Sequence, residues 1–274
     1  MPLPPSRPDS TALVTGASSG IGTELARGLA ARGHGLTLVA RRADRLESLA
    51  GELSSRHGVR VEPIAADLSD ASDRDRLGRE VESRGLTVEI LVNNAGFGIY
   101  EPFGHSDRRR ELEQVRLLVE AVVDLNARYL PGMLERCRGA ILNMASSAAF
   151  QPLPGNASYA ACKSFVVFHS EALHEEVRGQ GVTVTAVCPG PVKTEFLETS
   201  QPLFAARVPG PLWTDAETVA KEGLEALENG RRTVVPGGFA IRAAFAPNRM
   251  APPSLALPVA RRLMSRELAH GRRH

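Results

Sequence analysis

From residue 11 onward the chain alternates short apolar, β-branched runs with stretches of helical periodicity, and this alternation constrains the fold more than any other feature. The runs predict strands at 11–15, 36–40, 59–66, 88–92, 140–144, 182–187 and 232–235. Between them, apolar residues recur at helical spacing. Leu25 and Leu29 lie one turn apart in a helix predicted over 21–32, and Leu46, Leu49 and Leu53 share a face in the next. Further helices are predicted over 73–84, 107–136 with a break near Pro131, 159–178 and 216–228. Strands apolar on both faces, each followed by a helix, imply a parallel sheet covered on both sides. Right-handed crossovers then give an α/β, doubly wound domain whose ligands bind beyond the carboxyl ends of the strands.

Composition narrows the possible functions. Hydrophobic residues make up 43% and charged residues 23% of the 274, which suits a globular core rather than disorder. A net charge of +2 carries no nucleic-acid signature. Cys137, Cys162 and Cys188 show no CxxC or paired spacing, which predicts no metal site and a reducing, cytoplasmic setting. No apolar run is long enough to span a membrane, and the Pro-rich start does not read as a signal peptide. The expected organisation is a flexible leader over 1–10, one domain over 11–250 and a basic tail over 251–274. That tail mixes Leu255, Leu257, Val259, Leu263 and Leu268 with arginines, and reads as packing on the domain or a neighbouring subunit rather than on lipid.

The first strand runs into Thr15-Gly16-Ala17-Ser18-Ser19-Gly20-Ile21-Gly22. Glycines let backbone approach a phosphate, while the amides and dipole of the helix that starts there favour negative charge. Gly16, Ser18, Ser19, Gly20, Ile21 and Gly22 are therefore candidates for dinucleotide binding. The second strand ends in Arg41 and Arg42, where an NAD site would carry an acid for the ribose hydroxyl. Two guanidinium groups suit a 2′-phosphate instead, so the expected cofactor is NADP(H). Tyr159 and Lys163, spaced i, i+4, project from one helix face, and Ser146 ends the fifth strand. A nearby ammonium and a charged nicotinamide would favour the phenolate of Tyr159. The residue could then pass a proton to or from a substrate oxygen oriented by Ser146.

With these landmarks assembled, the sequence resembles the short-chain dehydrogenase/reductase family. The matching motifs are 15–22, Asp67, Asn93-Asn94-Ala95-Gly96, Ser146, Tyr159 with Lys163, and Pro189-Gly190-Pro191-Val192-Lys193-Thr194. The resemblance implies a single Rossmann-type domain with a seven-stranded sheet and an oxidoreductase that moves hydride between a nicotinamide and a carbonyl or alcohol carbon. It also implies roles for single residues. Asp67 and Leu68 would bracket the adenine, Asn94, Ala95 and Gly96 would line the ribose, and Asn93 would brace the sheet. Lys163 would hold the nicotinamide ribose as well as tune Tyr159. Pro189 and Gly190 would line the cofactor, and Val192 and Thr194 would meet its carboxamide. Relatives pair helices into dimers or tetramers, so a homo-oligomer is expected.

One position departs from the family pattern. An asparagine usually sits at a kink of the long helix and helps relay protons from the lysine; alignment puts Leu118 there. Leucine has no side-chain donor or acceptor. Weakened turnover is expected, and the alternative reading is a catalytically feeble NADP(H)-binding sensor or scaffold. Asn126 falls about two turns further on and cannot substitute. Phe97, Ile99, Tyr100, Phe150, Leu153, Phe196, Leu203, Phe204 and Trp213 form an apolar set that suits a hydrophobic small-molecule substrate. His169 and His174 are spaced wrongly for a shared metal and are expected to pack.

Overall fold

A computed structural model describes residues 3–196, 210–238, 241 and 257–258. Seven strands form one sheet in the order β3-β2-β1-β4-β5-β6-β7, and every neighbouring pair is parallel. They are β1 (Ser10–Thr15), β2 (Leu36–Ala40), β3 (Val61–Ala65), β4 (Thr87–Asn93), β5 (Gly139–Met144), β6 (Val182–Val187) and β7 (Thr233–Val234). The helices are α1 (Gly20–Ala30), α2 (Ala43–His57), α3 (Ala71–Ser83), α4 (Arg108–Val115), α5 (Ala121–Glu135), α6 (Ala157–Glu176) and α7 (Ala216–Glu228).

The period-two geometry of a strand sends successive side chains to opposite faces. Ala12, Val14, Ile90, Val92, Ala140 and Leu142 point into one core with Leu25 and Leu29 of α1, the α2 leucines, and Leu224 and Leu227 of α7. Leu13, Leu91 and Ile141 point into the other, with Leu77 and Val81 of α3 and Leu125 and Met133 of α5. Both faces of the sheet are therefore sealed by helices, which is why β1, β5 and β6 are buried along their whole length. The chain winds outward from β1 to β3, then restarts at β4 on β1's other side. The carboxyl ends of β1 and β4 thus flank the crevice where the winding reverses. Of the Pro-rich start, Pro4 is buried and Leu3 packs against the first core. The rest of the expected tail falls outside the described residues, save positions 257 and 258.

The long helix does not break at Pro131. That proline lies inside α5, where Met133 and the neighbouring Leu130 and Leu134 hold the helix on the core. The irregularity comes earlier, as a π-helical turn over Arg116–Glu120 between α4 and α5, where the Ala121 amide reaches back to the Arg116 carbonyl. No glycine or proline marks that turn, which is why periodicity alone could not find it.

A buried amide network ties the central strands to their covering helices. Asn93 Nδ2 donates to Asn126 Oδ1 at 2.9 Å and to Asn143 Oδ1 at 2.8 Å. Asn143 Nδ2 in turn donates to Ser170 Oγ on α6. Replacing Asn93 with alanine strands two buried acceptors, at a cost of roughly 1–3 kcal/mol each when left unsatisfied. We expect Asn93→Ala to destabilise the protein by about 2–6 kcal/mol in urea denaturation, with no loss of secondary structure in the folded state.

Candidate active site

The glycine-rich turn sits where β1 ends at the crevice. Gly16 and Gly20 have φ of +66° and +55°. A Cβ on Gly16 would lie 2.9 Å from Ala95 Cα, and one on Gly22 would lie 2.2 Å from the Gly16 carbonyl oxygen. The turn is thus pressed against β4's exit and against its own helix, and only bare backbone fits. Thr15 locks the two exits together. Its hydroxyl donates to Val92 O and accepts from the amides of Asn94 and Ala95 at 2.9 and 3.0 Å. Asn94 Nδ2 returns to Thr15 O at 3.0 Å. Ser19 begins α1 without a side-chain cap. The first-turn amides therefore face the crevice in the manner that binds pyrophosphate.

Arg42 caps α2 and lies against this turn. Its Nε and Nη2 reach Ser18 Oγ at 3.3 and 3.2 Å, and its Nη1 meets Glu195 Oε2 at 3.0 Å. Glu195 also binds Arg45 Nη1 at 2.7 Å. Arg41 lies elsewhere: it is 66% exposed and meets Glu113 of α4 at 3.5 Å. Arg42 and Ser18 thus present guanidinium and hydroxyl donors beside the phosphate-binding amides, a donor set that fits a ribose 2′-phosphate. Asp67 turns inward on its own loop and accepts from the amide and hydroxyl of Ser69. Leu68 is buried, and its carbonyl accepts from buried Arg74 at 2.9 Å.

At the other end of the crevice, Pro189 O accepts from the Ser147 amide at 2.8 Å. Val192 pairs with Thr214 in an isolated bridge. The Thr194 methyl lies 3.0 Å from where a Gly20 Cβ would stand, so this loop closes over the start of α1.

Ser146, Tyr159 and Lys163 converge beyond β5. Tyr159 and Lys163 are both buried on the inner face of α6. Lys163 Nζ donates to the carbonyl of Met144 at 2.7 Å and lies 5.8 Å from the centre of the Tyr159 ring. Ser146 Oγ accepts from the Ala148 amide. Tyr100 and Phe196 flank the phenol with ring centres 6.0 and 5.9 Å away. Burial pushes the Tyr159 hydroxyl up to about 12, and its hydrogen bond with Ser146 offsets only part of the rise. Burial also brings Lys163 down to about 8. Desolvation therefore opposes the pull of the ammonium toward the phenolate. In the protein alone, desolvation dominates and the phenol stays protonated at neutral pH.

Leu118 occupies the middle of the π-turn, 1% exposed, and packs with Tyr159 and Cys162. Its Cδ2 lies 2.7 Å from where a Cβ on Gly96 would stand, so it fills the space beside the Asn-Ala-Gly segment. Asn126 is committed to the amide network and to His169 Nε2 at 3.2 Å. His174 Nδ1 meets Val184 O at 2.7 Å. Of the apolar set, Tyr100 and Phe196 reach Tyr159, and Phe150 packs in a separate cluster with Val166 and Val167. Phe97 lies under the Arg110 guanidinium, and Trp213 lies 6.0 Å from Lys193 Nζ. Leu203 and Phe204 fall outside the described residues.

The profile of the short chain dehydrogenase family matches residues 10–202. The chain belongs to the short-chain dehydrogenase family. It is 35% identical over 226 residues to a very-long-chain 3-oxoacyl-CoA reductase of Anas platyrhynchos, covering 80% of this chain and 70% of that protein. Its fold superposes with a TM-score of 0.78 on a short-chain dehydrogenase from Sphingobium yanoikuyae in complex with NADPH, at 31% identity over 88% of this chain and 93% of that one. The L-sorbose reductase of Gluconobacter frateurii, complexed with NADPH and L-sorbose, gives 0.76 at 28% identity over 88% and 98%.

Residue-by-residue reading of this dehydrogenase missed three contributors. Thr15 fastens the two strand exits, Arg45 joins Arg42 on Glu195, and the Met144 carbonyl seats Lys163. Arg45 carried a faint signal, since it sits one turn after Arg42 on the same helix face. A backbone carbonyl carries none.

The Lys163 geometry predicts a pH effect on stability. Its folded-state value lies below the ordinary 10.5, so the unfolded chain holds more protons between the two values. Burying the charge opposes folding in full below about pH 8, and the opposition vanishes by pH 10.5. We expect the parent to gain roughly 3 kcal/mol relative to Lys163→Met across that window in denaturation series. A constant difference between the two proteins would show that the ammonium is not desolvated.

Proposed function

We propose that this dehydrogenase is an NADP(H)-dependent carbonyl reductase acting on a hydrophobic small molecule. The observation that carries the reading is the convergence of Ser146, Tyr159 and Lys163 on one end of the crevice while Arg42 and Ser18 close its other end. The NADPH held by the structural relatives supports the choice of cofactor. Gly16, Ser18, Ser19, Gly20, Ile21 and Gly22 would hold its pyrophosphate, and Arg42 its 2′-phosphate, while Arg41 turns to Glu113 of α4. Asp67 and Leu68 would flank the adenine, and Asn94, Ala95 and Gly96 the ribose. Pro189, Gly190, Val192 and Thr194 would line the nicotinamide end. When bound, the cofactor supplies the hydride.

The side chains do the acid–base work. Ser146 hydrogen-bonds the substrate carbonyl oxygen and orients it toward Tyr159. Tyr159, protonated at neutral pH, donates its proton to that oxygen as the alkoxide forms. Lys163, cationic below about pH 8, stabilises the phenolate left behind. A phenol kept neutral by burial is in the protonation state from which carbonyl reduction starts, and the NADPH held by the structural relatives accords with that direction. Tyr100 and Phe196 wall the phenol with apolar surface, and the very-long-chain acyl specificity in the name of the Anas platyrhynchos relative accords with a hydrophobic substrate. The π-turn keeps the helix distortion although Leu118 lacks a polar group, so proton resupply would rely on backbone.

We further propose that the protein is a cytoplasmic homo-oligomer. Its cysteines are free thiols, and Phe168, 72% exposed, and Phe165 project from α6 as apolar surface suited to a subunit contact.

Turnover of NADPH with a panel of hydrophobic ketones and aldehydes tests the activity. We expect Tyr159→Phe to lower kcat by at least about a hundredfold, within the range for lost general acids, while NADPH still binds. Tight NADPH binding without turnover by the parent on any carbonyl would favour a sensor instead. Leu118→Asn should leave kcat unchanged or raise it, while burying an extra amide costs about 2 kcal/mol of stability. A large fall in kcat of the folded variant would show that Leu118 does not stand at the relay position.

A further inference from the structure

Glu195 lies one residue beyond Thr194, on the nicotinamide side of the crevice, yet both its oxygens bind arginines of the opposite wall. Oε2 meets Arg42 Nη1 at 3.0 Å, and Oε1 meets Arg45 Nη1 at 2.7 Å. The two arginines stand three positions apart, at the cap and in the first turn of α2, and so face the same way. The other nitrogens of Arg42 rest on Ser18, inside the glycine-rich turn. The carboxylate thus bridges two guanidinium groups beside the phosphate-binding amides.

We propose that Glu195 is a specificity-determining residue, an internal carboxylate that competes with the cofactor's 2′-phosphate for Arg42, and that Arg45 is a second guanidinium of that phosphate site. The inference deepens the NADP(H) reading and rests on it. A ribose 2′-phosphate carries more charge than a carboxylate and offers three acceptor oxygens, so it can take over both arginines. The neutral 2′-hydroxyl of NAD(H) cannot, and it leaves the Glu195 bridge intact. Glu195 therefore weakens NADP(H) binding selectively and narrows the preference between the two cofactors. All three side chains are 40–44% exposed, so water screens the bridge and the exchange stays reversible. The two arginines hold the Glu195 carboxyl below the usual carboxylate range, Arg45 contributing most, so it is ionised throughout the neutral range.

The test is calorimetric binding of adenosine 2′,5′-bisphosphate and of 5′-AMP, two probes that differ only in the 2′-phosphate. Glu195→Gln should tighten the bisphosphate about three- to tenfold, the worth of one or two exposed ion pairs, and leave AMP within about twofold. Arg45→Gln should loosen the bisphosphate about two- to fivefold without moving AMP. Unchanged melting temperatures would confirm that both variants fold as the parent does. Equal tightening of both nucleotides in Glu195→Gln, or of neither, overturns the competition. An unchanged bisphosphate affinity in Arg45→Gln overturns the role of Arg45. Failure of the NADP(H) reading has its own signature: neither the parent nor Glu195→Gln would favour the bisphosphate over AMP.

Discussion

Lys163 reaches from α6 to the carbonyl of Met144, the last residue of β5, and the site is arranged around that contact. A buried ammonium is costly unless it finds acceptors, and the strand-end carbonyl meets part of that need. The contact fixes α6 against the end of β5. Tyr159, one turn earlier on the same face, is thereby held beyond the sheet, close to Ser146. The residual cost appears as opposite shifts in two neighbours, the lysine lowered and the phenol raised, both by desolvation. One low-dielectric pocket thus keeps the proton on the group that gives it and weakens the hold of the group behind it.

The opposite end of the crevice relies on close backbone approach as well as on the charges of Arg42 and Arg45. Thr15 binds its hydroxyl to both strand exits, and Gly16 and Gly22 let backbones approach where any side chain would collide. Beneath this, the Asn93–Asn126–Asn143 network joins β4, α5 and β5 inside the protein. By hydrogen-bonding across three elements, it sets the register of the long helix against the central strands. The π-turn that carries Leu118 follows directly before this anchored segment.

That turn separates two properties that a motif-based reading joins. The backbone distortion is present, while the side chain at its centre is apolar and contributes packing to Tyr159 and Cys162. A helix can hold such a turn by its own i→i+5 hydrogen bonding and the packing on either side, without a polar residue within it. Exposed charges shape the far wall differently. Arg42 and Arg45 share one carboxylate there, whereas Arg41, next in sequence to Arg42, points to α4.

The strand–helix alternation, the covering of both sheet faces and the crevice beyond the strand ends were legible from periodicity, because strand and helix repeats are local and right-handed winding leaves few arrangements. Tyr159, Lys163, Ser146 and the glycine turn could be read for the same reason: their spacing lies within one element or at one strand end. The resemblance put a helix kink at Leu118, where the π-turn lies, although periodicity put the break near Pro131; the split between Arg41 and Arg42 and the Glu195 bridge could not be read. Each depends on contacts between residues far apart in the chain, such as the 153 positions separating Arg42 and Glu195. The sequence by itself determined which chemical groups reach the crevice. Only the tertiary structure decided their protonation and pairing, because desolvation and ion pairing depend on what surrounds a group in space.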